Sequence, residues 1–105
     1  MLRRFRIIAL ELHELDALLD RQGFELVSLF FRKLLRNFEV VHAHPNNCWP
    51  VIRYAGMEIP PVMEFTLLRK DRITERNPAT QFPHLLDRTN VAGVADFPLP
   101  KCWHA

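Results

Sequence analysis

The chain has 105 residues, the size of one domain, and its 49% hydrophobic and 25% charged residues exclude a disordered or collagen-like protein. Fourteen Lys and Arg against 12 Asp and Glu give a net charge of +2, so a nucleic-acid partner is not expected. No apolar run approaches the roughly 20 residues that cross a bilayer, so no membrane partner is expected. The two distant cysteines indicate neither a disulfide framework nor a zinc site, which favours a cytoplasmic protein.

A strand and a helix are predicted first. Residues Phe5–His13 contain the apolar run Ile-Ile-Ala-Leu, typical of a strand covered on both faces of a parallel sheet. From residue 14 to about residue 38, large apolar residues recur every three or four positions, which predicts a helix packed on the sheet. Because glycine disfavours a helix interior, we expect a break at Gly23, between Asp16–Arg21 and Phe24–Asn37.

Further strands follow the helix. Phe38–His42 is predicted as the second main strand, Val51–Tyr54 and Met57–Ile59 as a short hairpin, and Val62–Arg69 as the third main strand. A strand–helix–strand order predicts a right-handed crossover, with the first two strands parallel and their C-terminal ends at one edge. The connection to the third main strand contains no helix, so this strand is expected to run antiparallel to the second, as strands at the edge of α/β sheets often do.

The remaining residues form a predicted irregular tail. Four of the eight prolines lie in residues 73–105, where few apolar residues are periodic. We therefore divide the chain into an α/β segment, residues 1–72, and a tail, residues 73–105, that packs on it. The apolar residues expected to anchor the tail are Phe82, Leu85, Leu86 and Phe97.

Polar side chains cluster where the two parallel strands end. They are Glu11 and His13 after the first strand, and His42, His44, Asn46 and Asn47 at the second. Ligands of open α/β sheets bind outside the carboxyl ends of the strands, so these residues are the candidate site. A histidine beside a carboxylate can act as a general base near neutral pH. Asparagine also favours turns, so one of the two asparagines is expected to have a turn role instead.

Two other features bear on the chemistry. The alternation of His42 and His44 is compatible with two metal ligands, although a histidine in a sheet more often hydrogen-bonds a backbone carbonyl. The chain has only three glycines, which are too few and too scattered for a dinucleotide-binding G-x-G-x-x-G or a P-loop.

Three segments in order carry a family resemblance. Residues 7–13 (IIALELH), 40–48 (VVHAHPNNC) and 58–71 (EIPPVMEFTLLRKD), followed by 82–90 (FPHLLDRTN), resemble the C-terminal part of FkbM-type S-adenosylmethionine-dependent methyltransferases. The resemblance implies a β-α-β-β fragment equivalent to the C-terminal half of a Rossmann-like sheet. Its three main strands would be the fifth, the sixth and the antiparallel seventh of seven strands.

The resemblance also implies an activity. It would be methyl transfer from S-adenosylmethionine to a small-molecule acceptor, with catalytic roles for Glu11, His13 and His44 and acceptor-binding roles for His42, Asn46 and Asn47. The glycine-bearing loop and the acidic residues that hold the cofactor in this family do not occur in this sequence. We therefore expect no S-adenosylmethionine binding and no activity from this chain alone.

Three functional hypotheses follow. The first is a fragment or subunit of such an enzyme, whose exposed sheet edge at Phe5–Leu12 pairs with a cofactor-binding half on a second chain or in a longer protein. The second is a non-catalytic module that self-associates through the same edge. The third is a small metal-binding domain built on His42 and His44.

Overall fold

Two small antiparallel sheets and an α-helix make up the regular structure of residues 4–77 and 79–103, which the computed structural model describes. The strands, in chain order, are β1 (Ile7–Leu12), β2 (Phe38–Pro45), β3 (Ile52–Tyr54), β4 (Met57–Ile59) and β5 (Met63–Arg69). Helix α1 spans Arg21–Leu34, and short 3-10 helices span Leu15–Leu19, Lys70–Arg72 and Lys101–Trp103. The chain is therefore mixed α/β, as predicted.

The main sheet has the order β1-β5-β2, and β5 is antiparallel to both neighbours. Strands β1 and β2 therefore run in the same direction, and their C-terminal ends lie on the same side of the sheet, as the strand–helix–strand order predicted. The antiparallel direction of β5 is also confirmed. Its place is not at the edge of the sheet, however, but in the centre, because its buried residues Met63, Phe65 and Leu67 form the middle of the core.

Strand β1 is covered on one face. Ile8, Leu10 and Leu12 pack against the core, while the alternate residues Ile7 and Ala9 are exposed. The expectation of cover on both faces is wrong, because in this antiparallel pairing the strand alternates between the core and the open face of the sheet. Within the described part of the chain, β1 is an edge strand.

The helical region divides at Asp20 and not at Gly23. The Asp20 carboxylate accepts a hydrogen bond from the Gly23 backbone N–H at 3.1 Å, so Asp20 caps the start of α1. A Cβ atom on Gly23 would lie 2.2 Å from the Ala17 carbonyl oxygen. The glycine therefore allows the first turn of α1 to pack against the preceding 3-10 helix, and the helix continues through it to Leu34.

The hairpin of β3 and β4 lies at the predicted position. Its turn residues Ala55 and Gly56 both have positive φ, 49° and 80°, as a two-residue hairpin turn requires. Glycine has no Cβ and adopts a positive φ at no steric cost, which explains Gly56 in the turn.

The tail is irregular up to the last 3-10 helix, as predicted. Of the predicted anchors, Phe82 is confirmed, while Leu85 and Leu86 are not anchors. Leu85 and Leu86 are 75% and 76% exposed, so they do not hold the tail. The anchors are Phe82, Leu99 and Trp103, which pack on the core. The two leucines are exposed because they lie in a turn, residues 84–87, closed by a hydrogen bond from the Asp87 N–H to the His84 carbonyl.

Candidate functional site

A row of polar side chains crosses one face of the main sheet near the ends of β1 and β2. In the strand register, Glu11 of β1 lies opposite Glu64 of β5, and Glu64 lies opposite His44 of β2. Side chains opposite one another in antiparallel strands interact directly, and like charges there are destabilising. Each glutamate has a partner that offsets this repulsion. His13 Nε2 lies 2.7 Å from Glu11 Oε1, and Asn90 Nδ2 donates to Glu64 Oε1 at 2.6 Å.

His44 is the buried end of this row, with 2% of its surface exposed. Its Nε2 lies 2.9 Å from Asp96 Oδ2, and its Nδ1 lies 3.5 Å from Glu64 Oε2. Burial acts to lower the pKa of His44. The hydrogen bond to Asp96, the charges of Asp87 and Asp96 and the hydrogen bond to Glu64 act against it, and the net pKa is raised. The site therefore favours an imidazolium held between carboxylates.

His42 is stacked beside His44, with ring centroids 6.4 Å apart. Its Nε2 lies 2.8 Å from Asp87 Oδ1, and the His84 ring meets it edge-on. The strand places both β2 histidines on one face, and both reach a carboxylate of the tail. His42 also lines a cavity of about 650 Å³ between β2 and the tail.

The two asparagines after β2 hold backbone. Asn46 Oδ1 accepts a hydrogen bond from the Cys48 N–H at 2.9 Å, which confirms a turn role for one of the pair. Asn47 is 3% exposed, and its Nδ2 donates to the carbonyls of Val91 and Val94 at 3.2 and 3.0 Å. Its Oδ1 accepts from the Val91 N–H at 2.8 Å. Asn47 therefore fastens the tail to the end of β2.

The exposed end of the row borders a groove. The side chains of His13 and Glu11 are 66% and 36% exposed. His13 lines a groove of about 580 Å³ together with Trp49, Pro50 and Pro61. Of the two histidines predicted as catalytic, His13 is the one that a molecule in this groove can contact.

The structure thus brings together two groups of the predicted residues. Glu11 and His13 lie at one end of the row, while His42, His44 and Asn47 lie at the other and contact the tail. Four further residues take part that were not among the predicted site residues: Glu64, Asp87, Asn90 and Asp96. Glu64 has a sequence signal, a charge alternating with apolar residues in a strand, whereas the other three lie in the irregular tail.

The comparisons identify no relative. No family model, no curated protein and no solved structure matches this chain. Residues 4–77 and 79–103 contain no group of three or more His, Cys, Asp or Glu side chains that could hold a metal ion. Over the same residues, no helix is long and apolar enough to cross a membrane.

Proposed function

We propose that this chain is the C-terminal part of an FkbM-like methyltransferase that transfers a methyl group from S-adenosylmethionine to a small-molecule acceptor. One observation carries the proposal: an antiparallel strand, β5, joins two strands of common direction, and polar residues cross the sheet near their shared end. This arrangement agrees with the antiparallel last strand implied by the resemblance. The cofactor-binding half would be supplied by other residues of a longer protein or by a second chain.

The exposed end of the polar row supplies the acid–base chemistry. Glu11 fixes the orientation of the His13 ring through Nε2, which leaves Nδ1 to accept a proton from an acceptor hydroxyl in the adjacent groove. S-adenosylmethionine, when bound by the other half, would supply the methyl group as an electrophile. Transfer forms the oxygen–carbon bond, breaks the sulfur–carbon bond and leaves S-adenosylhomocysteine.

The buried end of the row acts through its neighbours. His44 is too buried for direct contact with an acceptor, and its role is to position Glu64 across the sheet. Asn46 and Asn47 fix the backbone after β2. His42, which lines the cavity beside the tail, is the β2 side chain open to a bound molecule.

The open edge of β1 supports the need for a second half. Phe5 and Ile7 are 54% and 58% exposed, and among the described residues β1 pairs on one side only. An unpaired strand with apolar side chains favours addition of another strand. A cofactor-binding half that extends the sheet along β1 would cover both the edge and these side chains.

We expect His13→Gln to reduce methyl transfer by about 100-fold or more, because it removes a general base. The assay follows S-adenosylhomocysteine formation by the protein purified natively from its source, with a macromolecule-free metabolite extract of the same cells as the acceptor pool. Arg21→Gln at the start of α1, where the side chain is 92% exposed and lines neither the groove nor the cavity beside the tail, is the control and should keep wild-type turnover. Wild-type turnover by the His13 variant, or no product from the native protein, would overturn the proposal.

A non-catalytic module is the second candidate, and the same open edge of β1 favours it. Two copies would associate by pairing their β1 strands. Light scattering of the purified chain distinguishes this candidate, because a clean monomer at micromolar concentration excludes it. A dimer that Ile7→Lys converts to monomer supports it, since an edge lysine opposes strand pairing.

A further inference from the structure

The segment His84–Asp96, here called the strap, forms no helix or strand and lies against the end of β2 and the start of β5. Its apolar residues contribute little to its attachment, because the large ones are between 37% and 76% exposed. They are Leu85, Leu86, Val91 and Val94. Segments with few buried apolar contacts open locally at a lower cost than the core does.

Polar contacts from the sheet hold the strap instead. His42 and His44 bind the strap carboxylates Asp87 and Asp96. Glu64 accepts a hydrogen bond from the strap residue Asn90, and Asn47 is hydrogen-bonded to the backbone of Val91. The four partners on the side of the sheet are thus side chains of the candidate site. His44 and Asn47 are buried while the strap is in place, and the side chains of His42 and Glu64 are 36% and 37% exposed.

We propose that the strap is a pH-sensitive cover: it is closed while His44 is an imidazolium bound to Asp96, and it opens when His44 loses its proton. Opening would uncover His44, Asn47 and Glu64 to solvent and to a ligand. The inference does not depend on the proposed methyltransferase activity, because it concerns only contacts within this chain.

The charged groups around His44 favour closure at lower pH. Asp96 and Asp87 face it from the strap and Glu64 from β5, while His42 stacks on it from its own strand. Beyond Glu64 lies Glu11 of β1, paired with His13. Carboxylates predominate, which agrees with the raised pKa of His44. The raised pKa means that His44 stabilises the closed state fully below about pH 6.5, the ordinary histidine value, and loses this effect as the pH rises through its own pKa.

Hydrogen exchange measured by NMR on the intact chain tests the proposal. The Val91 amide, which is bonded to Asn47 Oδ1, reports closure of the strap. The Leu67 amide in β5 reports unfolding of the core, so lower protection at Val91 than at Leu67 shows that the strap opens locally. After correction for intrinsic exchange, we expect the protection of Val91 to fall about tenfold between about pH 6 and pH 9 while it stays below that of Leu67, the effect of one charge-assisted hydrogen bond. The midpoint should coincide with the titration of the His44 ring in the same samples.

Two variants sharpen the test. Asp96→Asn keeps an acceptor for His44 Nε2 but removes the charge, so the midpoint should move to lower pH. His13→Gln removes a histidine at the other end of the polar row, which is paired with Glu11 and not with the strap, and should leave the midpoint unchanged. Val91 protection that is independent of pH in the wild type, or an unchanged midpoint in Asp96→Asn, would overturn the proposal. If Asp96→Asn does not fold, coincidence of the two wild-type midpoints decides.

Discussion

Phe38→Ala is expected to lower the free energy of unfolding by about 3 to 5 kcal/mol, the usual cost of removing a buried aromatic ring. Phe38 begins β2 and is 1% exposed within the main core cluster, which also contains Leu34 and Leu67. The free energy of unfolding of a domain is typically about 5 to 15 kcal/mol, so Phe38→Ala is expected to remove a large fraction of it. Chemical denaturation followed by circular dichroism measures the loss.

The matched control is Phe24→Ala on the outer face of α1. Phe24 is 56% exposed, so the same change in side chain removes little buried surface. Its effect should stay below about 1 kcal/mol, since alanine also has the higher helix propensity. Equal losses for Phe38→Ala and Phe24→Ala would contradict the placement of the core.

Asn47→Ala is expected to lower the free energy of unfolding by about 2 to 3 kcal/mol, because each partly buried polar group left without a partner costs about 1 to 3 kcal/mol. The groups affected are the carbonyls of Val91 and Val94 and the Val91 N–H. The strap should also separate from the sheet more often. If its attachment is weakened by about 1.4 kcal/mol or more, the open population rises about tenfold or more, and tryptic cleavage after Arg88 should accelerate by the same factor.

Asn77→Ala is the matched control for this effect. Asn77 lies in the same tail but is exposed, so its replacement should change neither stability nor cleavage after Arg88. A rate of cleavage in Asn47→Ala that equals the wild-type rate would show that Asn47 does not hold the strap.

Local patterns predicted the strands and their directions well. The hairpin around Ala55 and Gly56 and the antiparallel direction of β5 followed from turn chemistry and connection length, both of which are local. The central position of β5 did not, because strand order depends on which residues bury most surface across the whole sheet. The predicted helix break at Gly23 was wrong for a similar reason. Helix propensity disfavours glycine, but Gly23 is needed for the close approach of Ala17, a packing contact that propensity does not describe.

The candidate site was only half predictable. The residues at the strand ends were identified from topology, and Glu11 and His13 do form a pair. The partners of His44 and Asn47 lie 52 and 44 residues away along the chain, in a segment without periodicity. No local pattern in the sequence indicates that an irregular tail returns to the sheet and binds side chains there. Burial of His44 and the attachment of the strap therefore required the structure.

The proposal that the cofactor is held outside these 105 residues is tested most directly by calorimetric titration with S-adenosylmethionine. The isolated chain should give no saturable heat, because its three glycines are too few and too scattered to form a glycine-rich cofactor loop. The natively purified protein, together with any half that pairs with β1, should bind the cofactor at a single saturable site. Saturable binding by the isolated chain, or none by the native protein, would contradict the account.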